Sequence, residues 1–149
     1  MKQNLVEKIY QTNKEGFIDI TLDINNFIEA SNIKLGIIVI STKHTSCSLT
    51  LNENADPRVL NDLATYIKSI VPEEGHISLD GSQRRMLYTH SDEGIDDMPA
   101  HIRTMLTCTS LSLSVNNGKL LLGTWQAIYL WEHRYAVNLR KINFHILGN

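Results

Sequence analysis

Apolar residues recur along this chain with two periods, and each change of period marks an element. Leu5, Val6, Ile9 and Tyr10, then Gly16, Phe17, Ile18, Ile20 and Leu22, alternate loosely and predict two strands around a turn at Asn13–Gly16. Ile24, Phe27 and Ile28 fall at helical spacing, so 24–31 is predicted to be a short helix. Leu35, Ile37, Ile38, Val39 and Ile40 form a β-branched run of the kind found in buried strands, and 46–51 reads as another strand. In Asn54-Ala-Asp-Pro-Arg58, Asp56 is placed to cap a helix and Pro57 to occupy its first position. Val59, Leu60, Leu63, Tyr66, Ile67 and Ile70 then follow one helical face as far as Pro72. Residues 73–93 carry no sustained period and hold Gly75 and Gly81, with Gly94 just beyond. They predict a long irregular loop, a feature that is usually functional or mobile. Asp97-Met-Pro-Ala-His101 opens a further helix, with Asp97 as its cap and Ile102, Met105 and Leu106 facing inward. Strands at 109–115 and 119–122 meet through the hairpin signal Asn117-Gly118. A strand within 123–134 and a closing strand at 141–147 complete the chain. Strands with scattered helices and no regular βαβ alternation predict an α+β fold, one compact domain over residues 1–149 with antiparallel or mixed sheets and a few helices.

The stretch Gly123-Thr-Trp-Gln-Ala-Ile-Tyr-Leu-Trp-Glu-His-Arg134 carries the strongest chemical signal. Alternate strand residues share a face. Trp125, Ala127, Tyr129, Trp131 and His133 then lie on one side, and Gln126, Ile128, Leu130, Glu132 and Arg134 on the other. An amide, a carboxylate and a guanidinium on one face suit a ligand site. The competing reading is a Glu–Arg surface pair at a strand end, which contributes little to stability.

Composition narrows the classes of function. A net charge of −2 and a pI near 6.3 leave no basic footprint for a nucleic-acid partner, and the aromatic residues are not interleaved with basic ones. No apolar run approaches the length of a membrane span, and no signal peptide opens the chain, so a cytoplasmic protein with reduced thiols is expected. Cys47 and Cys108 are too few for a disulfide scaffold and are expected to act as small buried hydrophobes.

Six histidines are scattered, none paired at i, i+4, so any metal site must assemble from separate segments. His44 ends the apolar strand and shares a face with Ser46 and Ser48, while Cys47 points away, which disfavours a His–Cys nucleophilic pair. His44 is equally well read as a strand-end histidine bonded to backbone. Asp97 and His101, four apart, are placed to share a helix face, as a carboxylate orienting an imidazole or as plain capping. The run Tyr88-Thr-His-Ser-Asp-Glu-Gly-Ile-Asp-Asp97 concentrates acids and His90 directly before that helix, though such runs are usually only solvated. Asn52-Glu-Asn-Ala-Asp-Pro57 precedes a helix N-terminus, where a phosphate accompanied by a divalent cation would be received. Its plainer reading is a well-capped turn.

Three ordered motifs converge on one family. His44-Thr-Ser-Cys-Ser-Leu-Thr-Leu-Asn-Glu-Asn-Ala-Asp-Pro57, Glu93-Gly-Ile-Asp-Asp-Met-Pro-Ala-His101 and Gly123-Thr-Trp-Gln-Ala-Ile-Tyr-Leu-Trp-Glu-His-Arg134 resemble the YjbQ family (UPF0047) over roughly residues 5–148. The 74–87 stretch looks longer than in compact members. The resemblance implies a small α+β homotrimer with pockets near subunit contacts and a secondary thiamine-phosphate synthase activity. In that reaction aminopyrimidine diphosphate and hydroxyethylthiazole phosphate join to give thiamine phosphate and pyrophosphate. Carried over by motif, His44, His101, Glu132 and Arg134 are the expected catalytic residues. Asn54, Asp56, Gln126 and Arg134 are expected to bind a small phosphorylated metabolite. His44, His90, His101, Asp97 and Glu132 are expected to hold a divalent ion, magnesium or zinc. Arg134 would grip a phosphate and Gln126 would orient the heterocycle. His133 falls where other members often carry phenylalanine, and strand parity turns it away, so it is left out of the site. A metal-dependent hydrolase of a phosphorylated metabolite and a trimeric small-ligand-binding protein are the alternatives.

Overall fold

The computed structural model describes residues 1–149. Thirteen elements follow one another: β1 (Lys2–Thr12), β2 (Gly16–Asp19), α1 (Thr21–Ser31), β3 (Leu35–Thr42), β4 (Cys47–Glu53), α2 (Pro57–Ile70), β5 (His76–Ile77), β6 (Arg85–Met86), α3 (Asp97–Leu106), β7 (Ser110–Asn116), β8 (Lys119–Leu120), β9 (Gln126–Glu132) and β10 (Asn138–Gly148). They make an α+β fold with a five-stranded sheet ordered β1-β10-β3-β7-β8, a three-stranded sheet ordered β2-β9-β4, and the short pair β5-β6. Every strand pair is antiparallel.

The strands flanking the Asn13–Gly16 turn do not form a hairpin. β1 pairs with β10 and β2 with β9, so the turn passes the chain from one sheet to the other. The core lies where these sheets meet α1. Ile20, Ile24 and Ile28 enter it from the first helix and its approach, Ile38 and Ile40 from β3, Leu49 from β4, Ile128 and Leu130 from β9, and Ile142, Phe144 and Ile146 from β10. Burial at this scale, about 25 cal/mol per Å² of apolar surface, is the main source of stability. Gly36 and Gly148 stand opposite one another across β3 and β10, and a Cβ at either would sit 2.1 Å from a backbone carbonyl oxygen.

Local signals place the helices. Asp56 accepts the Arg58 N–H at 2.9 Å and Pro57 follows at the first helical position, as the residues predict. α3 begins one residue differently from expectation: Asp96, not Asp97, occupies the cap position, and its carboxylate does not cap the helix. That carboxylate instead accepts the Tyr135 N–H at 2.8 Å and the Arg134 Nε–H at 3.0 Å, which frees Asp97 to project from the first turn. The 73–93 segment, expected to be irregular throughout, contains the small β5–β6 ladder. No helix is long and apolar enough to cross a membrane.

β9 overturns the simple parity argument. It is the middle strand of its sheet, and Ala127 through Glu132 are all buried, so both of its faces are covered. The strand ends at Glu132, and Arg134 lies beyond it rather than on the Gln126–Glu132 face.

Candidate functional site

Two acidic residues at the start of α3 organise the site. Asp97 is only 2% exposed, and its Oδ1 is held by Arg134 Nη1. Its other oxygen, Oδ2, lies 2.8 Å from His90 Nε2, yet in a direction that makes no hydrogen bond, so Oδ2 is buried without a donor. His101, one helical turn on, places Nε2 3.6 Å from Asp97 Oδ1. Its Nδ1 is 2.9 Å from the Thr45 carbonyl, which can only accept. Nδ1 therefore carries a proton, and in the neutral imidazole Nε2 presents a lone pair. One ligand atom from each of His90, Asp97 and His101 can be chosen so that all lie within 4.8 Å of one another.

This arrangement fits a cation by its own chemistry. A buried carboxylate oxygen with no donor is costly unless something positive completes it. A histidine that gives its second N–H to a backbone carbonyl is the usual arrangement of a metal-binding imidazole. Arg134 completes the frame: Nε to Asp96, Nη1 to Asp97 and Nη2 to the Glu93 carbonyl at 2.7 Å. Burial alone would raise the Asp96 carboxyl, but the Tyr135 N–H and Arg134 more than offset it and hold it below its ordinary range. A 190 Å³ cleft lined by Leu87, Tyr88, Ser91 and Ile95 opens beside His90.

The remaining expected residues lie elsewhere. His44 accepts the Lys141 N–H through Nε2 at 2.9 Å and is no member of the cation cluster, although the next residue anchors His101. Burial, then Arg140, pushes its imidazole pKa down. Glu132 is also outside the cluster. It is 1% exposed, accepting Thr12 Oγ1–H at 2.6 Å, Arg140 Nε–H at 2.6 Å and the N–H groups of His133 and Arg134 at 3.0 Å each. Its lone pairs are spent inside the protein, so it shapes the turn that carries Arg134 rather than meeting a ligand ion. Asp56 is occupied as a helix cap and by Arg58, Gln126 Oε1 accepts the Gly123 N–H at 2.7 Å, and the Asn54 N–H donates to the Trp125 carbonyl. Arg134, expected to grip a phosphate, has its guanidinium fork engaged by acceptors of its own chain.

Two buried groups escaped the sequence reading. His133, left out by parity, is 1% exposed and its Nε2 lies 2.9 Å from Ser48 Oγ. Arg103 on α3 is likewise 1% exposed. His133 belongs to the Gly123–Arg134 motif and is set aside there by strand parity, while Arg103 lies in no motif.

A family model described as UPF0047 protein YjbQ-like matches residues 7–149. The chain belongs to the YjbQ family. A UPF0047 protein of Synechocystis is 46% identical over 125 residues, covering 84% of this chain and 78% of that one. The YjbQ protein of Escherichia coli is 39% identical over 128 residues, covering 85% of each. The crystal structure of a YjbQ/UPF0047 family protein from Clostridium acetobutylicum superposes with a TM-score of 0.81 at 34% identity, covering 95% of this chain and 99% of that one. The α+β architecture is thus that of the YjbQ fold.

Proposed function

We propose that this YjbQ-family chain has secondary thiamine-phosphate synthase activity and that His90, Asp97 and His101 hold the divalent ion the reaction uses. The observation that carries the reading is the buried, donorless Asp97 Oδ2 set between two histidines. Two imidazoles and one carboxylate suit zinc better than magnesium, which prefers oxygen ligands and retained waters.

In the reaction the thiazole nitrogen forms a C–N bond to the aminopyrimidine methylene carbon as its C–O bond to pyrophosphate breaks. The bound ion would supply charge stabilisation for the departing pyrophosphate. The protein's own contribution is positional. Arg134 fixes Asp97, the Thr45 carbonyl fixes the His101 tautomer, and Glu132 fixes the turn from which Arg134 reaches back. The cleft of Leu87, Tyr88 and Ile95 beside His90 is placed to receive a heterocycle. Holding the two substrates aligned there would supply much of the acceleration, because the leaving group departs readily.

The expected homotrimer belongs to the same proposal. Leu5, Ile9, Leu35, Ile37 and Leu139 are exposed on the outer face of the five-stranded sheet, as an apolar surface for subunit contact.

The test is thiamine phosphate formation from the two substrates with zinc or magnesium, for the wild type beside His101→Ala and Asp97→Asn. Product from the wild type, lost in both folded variants, supports the reading. Release of inorganic phosphate without thiamine phosphate would replace it with the hydrolase.

A further inference from the structure

A second cavity, of about 360 Å³, lies between α2 and the edge of the three-stranded sheet. It shares no lining residue with the His90–Asp97–His101 cluster. Its volume falls within the range of small-molecule sites, roughly 300–1,000 Å³. One wall is aromatic: Phe17 stacks on Trp131 with ring centroids 4.5 Å apart, and Trp131 lies 4.9 Å from the His133 ring. Leu60, Ala64 and Ile67 of α2 form the facing apolar wall.

Arg103 forms the polar end, with Glu15 and Lys68 also lining the cavity. Its guanidinium, buried within the protein, makes a single hydrogen bond, Nη2–H to the Val71 carbonyl at 3.0 Å. The nearest carboxylates, Glu15 opposite Nη1 and Glu73 opposite Nη2, each stand 3.9 Å away, beyond hydrogen-bond reach. Glu15 is instead paired with Lys68, and Glu73 accepts the Tyr135 hydroxyl. Nε has no partner at all. A buried guanidinium normally spends most of its five N–H donors on acceptors, because leaving them unpaired is costly. His133 adds no competing charge: burial, reinforced by Arg103, holds its imidazole neutral.

We propose that this cavity is a second ligand site that binds a small aromatic carboxylate, its ring between the Phe17–Trp131 wall and α2 and its carboxylate on Arg103. The guanidinium supplies the two-pronged contact that a carboxylate matches, and the aromatic wall supplies an edge or face for the ring. The site is independent of the metal cluster and of the reaction assigned to it.

Benzoate is the probe, with benzyl alcohol as its neutral counterpart, titrated into the full-length protein and followed by the Trp131 indole and Arg103 Nε–H resonances. Benzoate is expected to saturate, to shift both resonances, and to bind more tightly than benzyl alcohol. Arg103→Met should weaken benzoate by about tenfold or more, the scale of a lost charge-assisted contact, and leave benzyl alcohol nearly unchanged. Ala64→Phe, which fills the cavity from a half-buried helix position, should abolish both and remains informative even where Arg103→Met does not fold. His101→Ala should alter neither, which separates this site from the metal reading. No saturable benzoate binding up to its solubility limit, or binding that survives Ala64→Phe, overturns the proposal.

Discussion

Replacing Glu132 by glutamine should destabilise the protein far more than its conservative shape implies. The carboxylate is 1% exposed and its partner Arg140 3% exposed, so the pair lies in a medium where charge is poorly screened. Burial alone would raise the Glu132 carboxyl, but Arg140, Thr12 and the Arg134 N–H outweigh it and hold the group ionised, below its ordinary range. Glutamine keeps one acceptor oxygen but turns an N–H₂ toward the Arg140 and Thr12 donors. It also leaves the Arg140 charge buried without a counter-charge. Breaking one side of such a pair costs about 3–5 kcal/mol. Equilibrium urea unfolding should show the unfolding free energy falling by that amount, through a lower transition midpoint at unchanged slope. A cycle through Glu132→Met, Arg140→Met and the double variant should show the double costing less than the sum of the singles, because it removes both charges together. A loss below about 1 kcal/mol in Glu132→Gln, or strict additivity in the cycle, would refute the reasoning.

His133 makes stability depend on pH in a known direction. Burial, then Arg103, pushes its imidazole from 6.5 down to about 3. Below pH 6.5 the unfolded chain takes up a proton that the folded protein refuses, so stability is intact above that value and falls at up to about 1.4 kcal/mol per pH unit as acid is added. Urea unfolding at pH 7 and pH 5.5 should show the fall, and His133→Phe should abolish the imidazole's share of it; an equal slope in both proteins would contradict the assignment. Gly36→Ala should cost about 2 kcal/mol, since its Cβ would meet the Leu147 carbonyl oxygen at 2.1 Å across the β3–β10 ladder. A melting temperature within a degree of wild type would show that the strands can part without penalty.

Much of this fold was legible from local pattern because local physics decided it. Asp56-Pro57 and the Asn117-Gly118 turn behave as their residues predict, whereas Tyr66 and Ile70 of the α2 face, and Met105 and Leu106 expected to face inward from α3, are exposed. Predictions failed where tertiary burial overrode period. Alternation makes β9 two-faced, but as a covered middle strand it buries both sides, which removes the warrant for pairing Glu132 with Arg134 and for dismissing His133. Among the expected metal ligands, His90, Asp97 and His101 do converge, and the two histidines reach Asp97 from a loop and from the next helical turn. His44 and Glu132, from the first and third motifs, stand outside the cluster: one is spent on the Lys141 N–H, the other on Arg140 and Thr12. Arg103 was invisible because nothing in a sequence distinguishes a buried arginine from a solvated one on a helix.

The most direct test of the account is anomalous diffraction at the zinc edge from crystals of the protein grown with zinc. The account predicts one peak per chain, about 2.0–2.2 Å from a nitrogen of His90, a nitrogen of His101 and an oxygen of Asp97, and no such peak in His101→Ala. A fully occupied zinc elsewhere, with these three side chains unliganded, would contradict it.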